Sequence, residues 1–196
     1  MRNHRAPLRE RTRAAIRDQL ADTALTLFVA RGFDRVTIDD LVAATGVSRR
    51  SFFRYFASKE DIVLGFMTDL AESLVHALAE RPADEGVWES LRRACDPAVA
   101  RYAHDAERML ALFGLFEQTP SLRARHAEKH LHCHAGLTGE LAGRLGVDPA
   151  EDLRPAVWAG SALAALQAAL DAWAAHPQRP IEALLDEAFA ALPRAA

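Results

Sequence analysis

The stretch Thr37 to Lys59, TIDDLVAATGVSRRSFFRYFASK, decides the fold. Thr37 followed three residues later by Asp40 has the spacing of a capping box, with Asp in place of Glu or Gln. It opens a helix whose buried side is Ile38, Leu41 and Val42. Gly46 closes that helix after two turns, because glycine accepts the left-handed conformation in which helices commonly end. Ser48 then caps a second short helix, Arg49 to Phe56, which begins Arg-Arg. Two short helices meeting at a Gly turn form a helix-turn-helix pattern. Leu41, Val42, Val47 and Phe52 would lock the pair at a fixed angle. The second helix then offers cations at its N-terminal end, which is the end that meets base edges in a major groove. An arginine fork at Arg49 or Arg50 can bond guanine O6 and N7 together, a contact worth about 1–3 kcal/mol of discrimination. Thr37 and Lys59 lie near helix starts, where backbone N–H groups and a side chain can share one phosphate.

The pattern continues in both directions as helix. Upstream, Ile16, Leu20, Ala24, Leu27 and Phe28 mark one amphipathic face that stops at Gly32, with residues 1–8 read as a mobile arm. Downstream, Ser58 with Asp61 caps a fourth helix whose apolar stripe runs Ile62, Phe66, Leu70, Leu74 and Leu78 and ends near Arg81-Pro82. Trp88, Leu91, Cys95, Val99 and Tyr102 fall on one face, and Met109, Leu112, Phe113 and Phe116 make a short apolar segment stopped by Thr119-Pro120. Leu122 to Leu145 is helical and ends at Gly146, and Asp148-Pro149 restarts a helix as N-cap and first residue. His176-Pro177 breaks that helix, and Ile181, Leu184, Leu185, Phe189 and Leu192 form a last one. Strand alternation and fixed-period repeats are absent from the sequence. The reading is all-α: a front over residues 1–60 that carries the helix-turn-helix, then a helical body over 61–196. The boundary falls inside the fourth helix, with no Gly/Ser linker.

Composition sets the outer limits. The chain has 196 residues, 50% hydrophobic and 26% charged, enough for a real core and incompatible with wholesale disorder. Its longest uncharged stretch, Pro155 to Leu170, is 16 residues and Ala-rich, too short and weakly apolar for a bilayer. The Arg-rich start has no apolar core behind it, so no signal peptide is expected. Cys95 and Cys133, the only cysteines, make no disulfide framework, and the default is reduced thiols in a cytoplasm. The net charge of −3 hides an asymmetry: residues 1–60 carry 12 Lys and Arg against 7 Asp and Glu, whereas residues 61–196 carry 12 against 20. A basic front on an acidic body suggests that only the front meets a polyanion. No P-loop, G-x-G-x-x-G, G-x-S-x-G or H-E-x-x-H pattern occurs, so an enzyme is not expected.

At Ile16 to Leu64, IRDQLADTALTLFVARGFDRVTIDDLVAATGVSRRSFFRYFASKEDIVL, the chain resembles the TetR-type transcriptional regulators. The resemblance covers about a quarter of the chain. It implies a three-helix helix-turn-helix DNA-binding domain over residues 1–60 on a helical ligand-binding and dimerisation domain over 61–196, in a homodimeric, ligand-responsive regulator, usually a repressor, that binds inverted-repeat double-stranded DNA through the third helix of each subunit. It places Thr37, Ser48, Arg49, Arg50, Ser51, Phe53, Arg54, Tyr55 and Lys59 at DNA-facing positions. The family commonly has Tyr where this chain has Phe53, and a phenyl ring packs on a thymine methyl or a sugar but cannot donate to phosphate. Tyr55 keeps its hydroxyl. The Arg-rich arm (Arg2, Arg5, Arg9, Arg11, Arg13) would add phosphate contacts and salt dependence. The RRSFFRYF segment is most similar to a subgroup with acyl-CoA-like ligands.

Three further signals bear on the body. Phe66, Leu70, Trp88, Cys95, Tyr102, Phe113, Phe116, His130 and Trp158 form the expected lining for a small, largely apolar effector, against the plainer reading of core. His126, His130 and His134 recur at four-residue spacing, and an i, i+4 His pair on a helix can bind a metal. A metal-ion effector is therefore the alternative, and a helical metal-dependent enzyme a more distant one. The primary reading assigns no metal and no cofactor. The small-residue stretch Ala159 to Ala169 suits a closely approached dimer face shared with the final helix.

Overall fold

The computed structural model describes residues 8–191, with the side chains of residues 8–11, 14 and 66–71 outside that description. The described residues form helices and turns and no strand. They divide into two compact units, Met1–Phe66 with Gly114–Arg123, and Met67–Phe113 with Ala124–Ala196.

The first unit contains α1 (Leu8–Arg31), a 3₁₀ turn (Phe33–Arg35), α2 (Ile38–Thr45), α3 (Arg49–Phe53) and the start of α4 (Lys59–Ala79). α1 turns Leu20, Ala24, Leu25 and Phe28 into the core. It ends at Gly32, whose φ of +85° is open to glycine at little cost. The Gly32 N–H closes on the Phe28 carbonyl at 2.9 Å, and the Phe28 and Phe33 rings meet at 4.8 Å across the cap. Gly46, at φ +69°, ends α2 in the same way, donating to the Val42 carbonyl at 3.0 Å. α3 is shorter than the sequence pattern suggests, stopping at Phe53 rather than Phe56. The Arg54 and Tyr55 N–H groups bond the Ser51 and Phe52 carbonyls, so the last turn tightens to three-residue spacing. Phe56 is then buried against Phe52, ring centroids 5.5 Å apart, and the chain is directed into α4. The Ser58–Asp61 cap forms as expected: the Asp61 N–H bonds Ser58 Oγ at 3.1 Å, and the Ala57 N–H bonds Asp61 Oδ2 at 3.0 Å.

The chain passes into the second unit within α4. There follow α5 (Val87–Ala94), α6 (Asp96–His104), α7 (Ala106–Gln118), α8 (Pro120–Leu145), α9 (Arg154–Ala175) and α10 (Ile181–Ala190). The sequence pattern merged α5 with α6, since Leu91, Cys95, Val99 and Tyr102 keep helical spacing and are all buried. The structure separates them at Cys95, because Pro97 has no N–H to continue a helix and sits well in a first turn. The start of α9 also differs. Asp148 accepts the Ala150 N–H at 2.9 Å in a local turn, and α9 begins only at Arg154, with Pro155 in its first turn. α9 buries Ala159, Ala162, Leu163, Leu166, Leu170 and Trp173, while α10 buries Ile181, Leu184, Leu185 and Phe189.

Arg144 ties this unit together. Its guanidinium donates to the Leu78 and Arg81 carbonyls at 3.1 Å, to the Pro82 carbonyl at 2.7 Å and to Ser90 Oγ at 3.2 Å. The Leu78 carbonyl lies in the last turn of α4, and the Arg81 and Pro82 carbonyls follow just beyond its end. Beside it, Glu85 receives both Nε and Nη2 of Arg81 at 2.7 and 2.5 Å and the Ser90 hydroxyl at 2.8 Å. These bonds, Arg81 foremost, hold the Glu85 carboxyl at about 2 against an ordinary 4.5. A depressed carboxyl stabilises the fold above its unfolded value, and that contribution fades as pH falls through the folded one. Urea midpoints are expected to drop between pH 5 and pH 2.5, and the drop should shrink in Glu85→Gln. An identical pH profile in the variant would dissociate Glu85 from acid stability.

Candidate nucleic-acid interface

The interface is built on α2 and α3. Leu41 and Phe52 are fully buried and fix the two helices against the first unit's core. With Phe52 turned inward, the rest of α3 faces out: Arg49 and Arg50 are exposed and Phe53 keeps 47% of its surface. Arg54 is exposed, and Ser51 and Tyr55 are half-buried. Ser48 Oγ accepts the Ser51 N–H at 3.1 Å and donates to Ser51 Oγ at 3.0 Å, so this hydroxyl is committed to capping α3.

Thr37 caps α2 reciprocally. Its Oγ1 accepts the Asp40 N–H at 3.2 Å, while its hydroxyl and backbone N–H donate to Asp40 Oδ2 at 2.5 and 2.9 Å. The Thr37 hydroxyl is the main cause that pulls the Asp40 carboxyl below its ordinary value, and Arg31, 3.6 Å away, adds to it.

The arginines of this face differ in their surroundings. Arg49 Nη1 lies 3.0 Å from Asp39 Oδ1. Arg54 stacks over the Tyr55 ring at 5.1 Å and donates Nη2 to the Tyr55 hydroxyl at 3.3 Å, while its carbonyl receives Arg13 Nη2 at 3.3 Å. Among the described residues Arg50 has no hydrogen-bond or ion-pair partner. Lys59 is half-buried, with Nζ 3.0 Å from the Phe33 carbonyl, 3.4 Å from the Val36 carbonyl and 4.5 Å above the Phe33 ring. It therefore braces the 3₁₀ turn against α4. Arg2 and Arg5 lie outside the described residues, as do the side chains of Arg9 and Arg11. Asp39, which the sequence did not single out, is the residue that the geometry adds. Its signal was an i, i+10 spacing to Arg49 across the turn, legible only once the angle between the helices is known.

The effector residues separate into several places. Tyr102 and Phe113 stack at 5.8 Å in the second unit, and Trp173 joins them at 6.3 Å from each ring. Trp173 is absent from the set drawn from sequence. Trp88 lies elsewhere, 4.9 Å from the Phe189 ring with its indole N–H on the Phe189 carbonyl at 3.3 Å. Cys95 is buried with Sγ on the Leu91 carbonyl at 3.4 Å, and burial pushes its thiol up to about 12. Burial likewise raises Cys133 to about 11. Trp158 is half-buried on α9, His130 is exposed on α8, and Phe116 is buried in the first unit. The side chains of Phe66 and Leu70 lie outside the described residues.

The metal alternative finds no support in the structure. Among the described residues no group of three or more His, Cys, Asp or Glu side chains is placed to hold a metal ion. His134 Nε2 is engaged by the Ala156 carbonyl and His132 Nδ1 by the Glu128 carbonyl, both at 2.9 Å. Burial, with His130 and Lys129 nearby, lowers the His126 pKa. Among the described residues no helix is long and apolar enough to cross a membrane.

Residues 20–65 match the family model of bacterial regulatory proteins, tetR family, and residues 85–195 match that of the MftR C-terminal domain. The chain is 34% identical over 154 residues to the HTH-type transcriptional regulator TcmR of Streptomyces glaucescens, covering 76% of this chain and 68% of that protein. It is 32% identical over 106 residues to the HTH-type transcriptional repressor KstR2 of Rhodococcus jostii, covering 48% of this chain and 52% of that one. Its fold is similar to that of the transcriptional regulator FadR of Bacillus subtilis in complex with stearoyl-CoA. That match has a TM-score of 0.60 at 17% identity and covers 88% of this chain and 95% of that one.

The capping box at Thr37 sets one expectation. Thr37→Ala should cost about 1 kcal/mol of stability at pH 7, read from urea unfolding. Because the Asp40 pKa is depressed in the fold, its share is present above the ordinary value of 3.8 and fades below it, so the gap between variant and wild type should narrow in acid. A gap that persists unchanged below pH 3 would contradict the reciprocal bond.

Proposed function

The chain belongs to the tetR family of bacterial regulatory proteins, and we propose that it is a cytoplasmic homodimeric repressor that reads an inverted-repeat operator and releases it on binding an apolar, acyl-type effector. The observation that carries this reading is α3 itself: one buried anchor, Phe52, and a polar, cationic remainder at the surface. Arg50, with no partner among the described residues, is a base reader. Tyr55 accepts from Arg54 and retains its own proton for a phosphate oxygen. Phe53 offers an exposed ring to a thymine methyl or a sugar. The Thr37 hydroxyl is spent on Asp40, so this corner binds phosphate through the N–H groups of the first turn of α2. Lys59, with two of its three ammonium protons directed to carbonyls, has one left for the backbone.

The repressor assignment is supported by KstR2, a repressor by name, and the acyl class by FadR, whose structure holds stearoyl-CoA. In this chain the Tyr102, Phe113 and Trp173 rings supply an apolar, polarisable wall for such a tail. The effector releases DNA only if it binds the DNA-incompetent arrangement more tightly than the competent one. The dimer face lies on α8 and α9. α9 and α10 each bury one side within their own chain, and the proposal rests on the apolar groups that α9 and α8 leave exposed. The other side of α9 leaves Val157 58% exposed and Ala164 and Ala168 open, and Leu131 on α8 is 68% exposed.

Two outcomes test this reading. Arg50→Ala should weaken binding to the selected operator by about 5- to 150-fold and relax one base position per half-site, measured by fluorescence anisotropy. Unchanged affinity and base preference would remove Arg50 from the readout. Val157→Glu should convert a micromolar dimer to monomer in sedimentation velocity and weaken operator binding with it. A dimer that survives would put the interface elsewhere.

A further inference from the structure

Asp39 and Arg49 face each other across the turn between α2 and α3, ten residues apart, with Nη1 3.0 Å from Oδ1. Both side chains are well exposed, 76% for Asp39 and 62% for Arg49. An ion pair this open contributes little to folding. Capping does not require it either, since Asp40, not Asp39, closes the box on Thr37. Asp39 also places an anion on the face that would meet a polyanion, where phosphate attraction alone would favour any other residue. Its presence there calls for a role that survives the repulsion.

We propose that Asp39 is a positioning residue for sequence readout, which holds the Arg49 guanidinium so that it discriminates bases instead of clamping phosphate. The inference rests on the DNA-binding reading above. A guanidinium has five donors in a rigid fork, and a bond to one carboxylate oxygen leaves most of that fork for a base edge. The partner fixes a side chain that otherwise loses rotamer freedom on binding, so Arg49 meets DNA already ordered. The pair is close to neutral as a unit, so it releases few counterions and adds little to non-specific affinity. Arg50, one residue along, is the contrast: among the described residues it has no partner and it carries its full charge to the DNA. One carboxylate thereby makes two adjacent arginines read with different net charge and different order.

The test is selection from a randomised duplex pool at two salt concentrations, using the full chain as wild type, Asp39→Asn, Asp39→Glu and Arg49→Ala. Each variant is first matched to wild type by thermal unfolding. Asp39→Asn should reduce the preference at one base position per half-site by about 3- to 10-fold, within the range of a single base contact. It should also tighten non-specific binding and steepen the log-affinity against log-salt slope by up to about one. Asp39→Glu, which keeps the carboxylate, should retain most of the preference, and Arg49→Ala should lose it at the same position. A purely structural role for Asp39 would move neither the positional preference nor the salt slope. If Arg49→Ala loses the position and Asp39→Asn keeps it, the positioning role is overturned while DNA reading stands. If Arg49→Ala alters no position, Arg49 is not a reader and the proposal falls. If wild type enriches no site, the DNA-binding reading fails with it.

Discussion

The burial of Phe52 is the contact on which the proposed DNA-facing surface depends. α3 has five residues, far fewer than an isolated helix needs to persist in water. It exists because Ser48 caps its first turn and because Phe52, with no exposed surface, is buried against Phe56 in the first unit's core. That one inward side chain sets which residues face out. Rotating α3 to bury Phe53 instead would carry Arg49, Arg50 and Arg54 to new directions. Gly46 makes the arrangement possible from the other side, since its positive φ lets α2 stop and the chain turn within three residues.

Electrostatics divides the labour on that surface. The front of the chain is basic in sequence, yet several of its cations are already engaged in the fold. Arg31 faces Asp40, Arg49 faces Asp39, Arg54 lies on Tyr55, and Lys59 is drawn to two carbonyls. Net charge alone would count all of them toward attraction for a polyanion. The structure instead separates cations that have a partner in the fold from others, Arg50 on α3 among them, that have none among the described residues. Specific recognition needs the first kind as much as the second, because a reader must be placed before it can discriminate.

Much of the first unit was legible in the sequence because its signals are local. Thr37 with Asp40, Ser48 before Arg49, and the two glycines each act within four residues of themselves, and all form as their chemistry dictates. Helix ends failed where a competing local preference decided. Pro97 split a continuous apolar face into α5 and α6, and Asp148 made a turn where a helix start was expected. Long-range partnerships were out of reach. Nothing in sequence spacing says that Trp173 joins Tyr102 and Phe113, or that Trp88 belongs with Phe189 instead of the proposed lining. The His repeat on α8 finds no support for the same reason. Its spacing is right for a metal pair, but backbone carbonyls engage His132 and His134, and among the described residues no third ligand faces them.

The central claim is that α3 reads sequence, and selection of bound fragments from a randomised duplex pool by the wild-type chain, at low and high salt, tests it most directly. Enrichment of an inverted repeat with half-sites about one helical turn apart, persisting at the higher salt, is the result the account predicts. Binding that vanishes with salt and enriches no sequence would contradict it, reducing the basic face to a patch for polyanions.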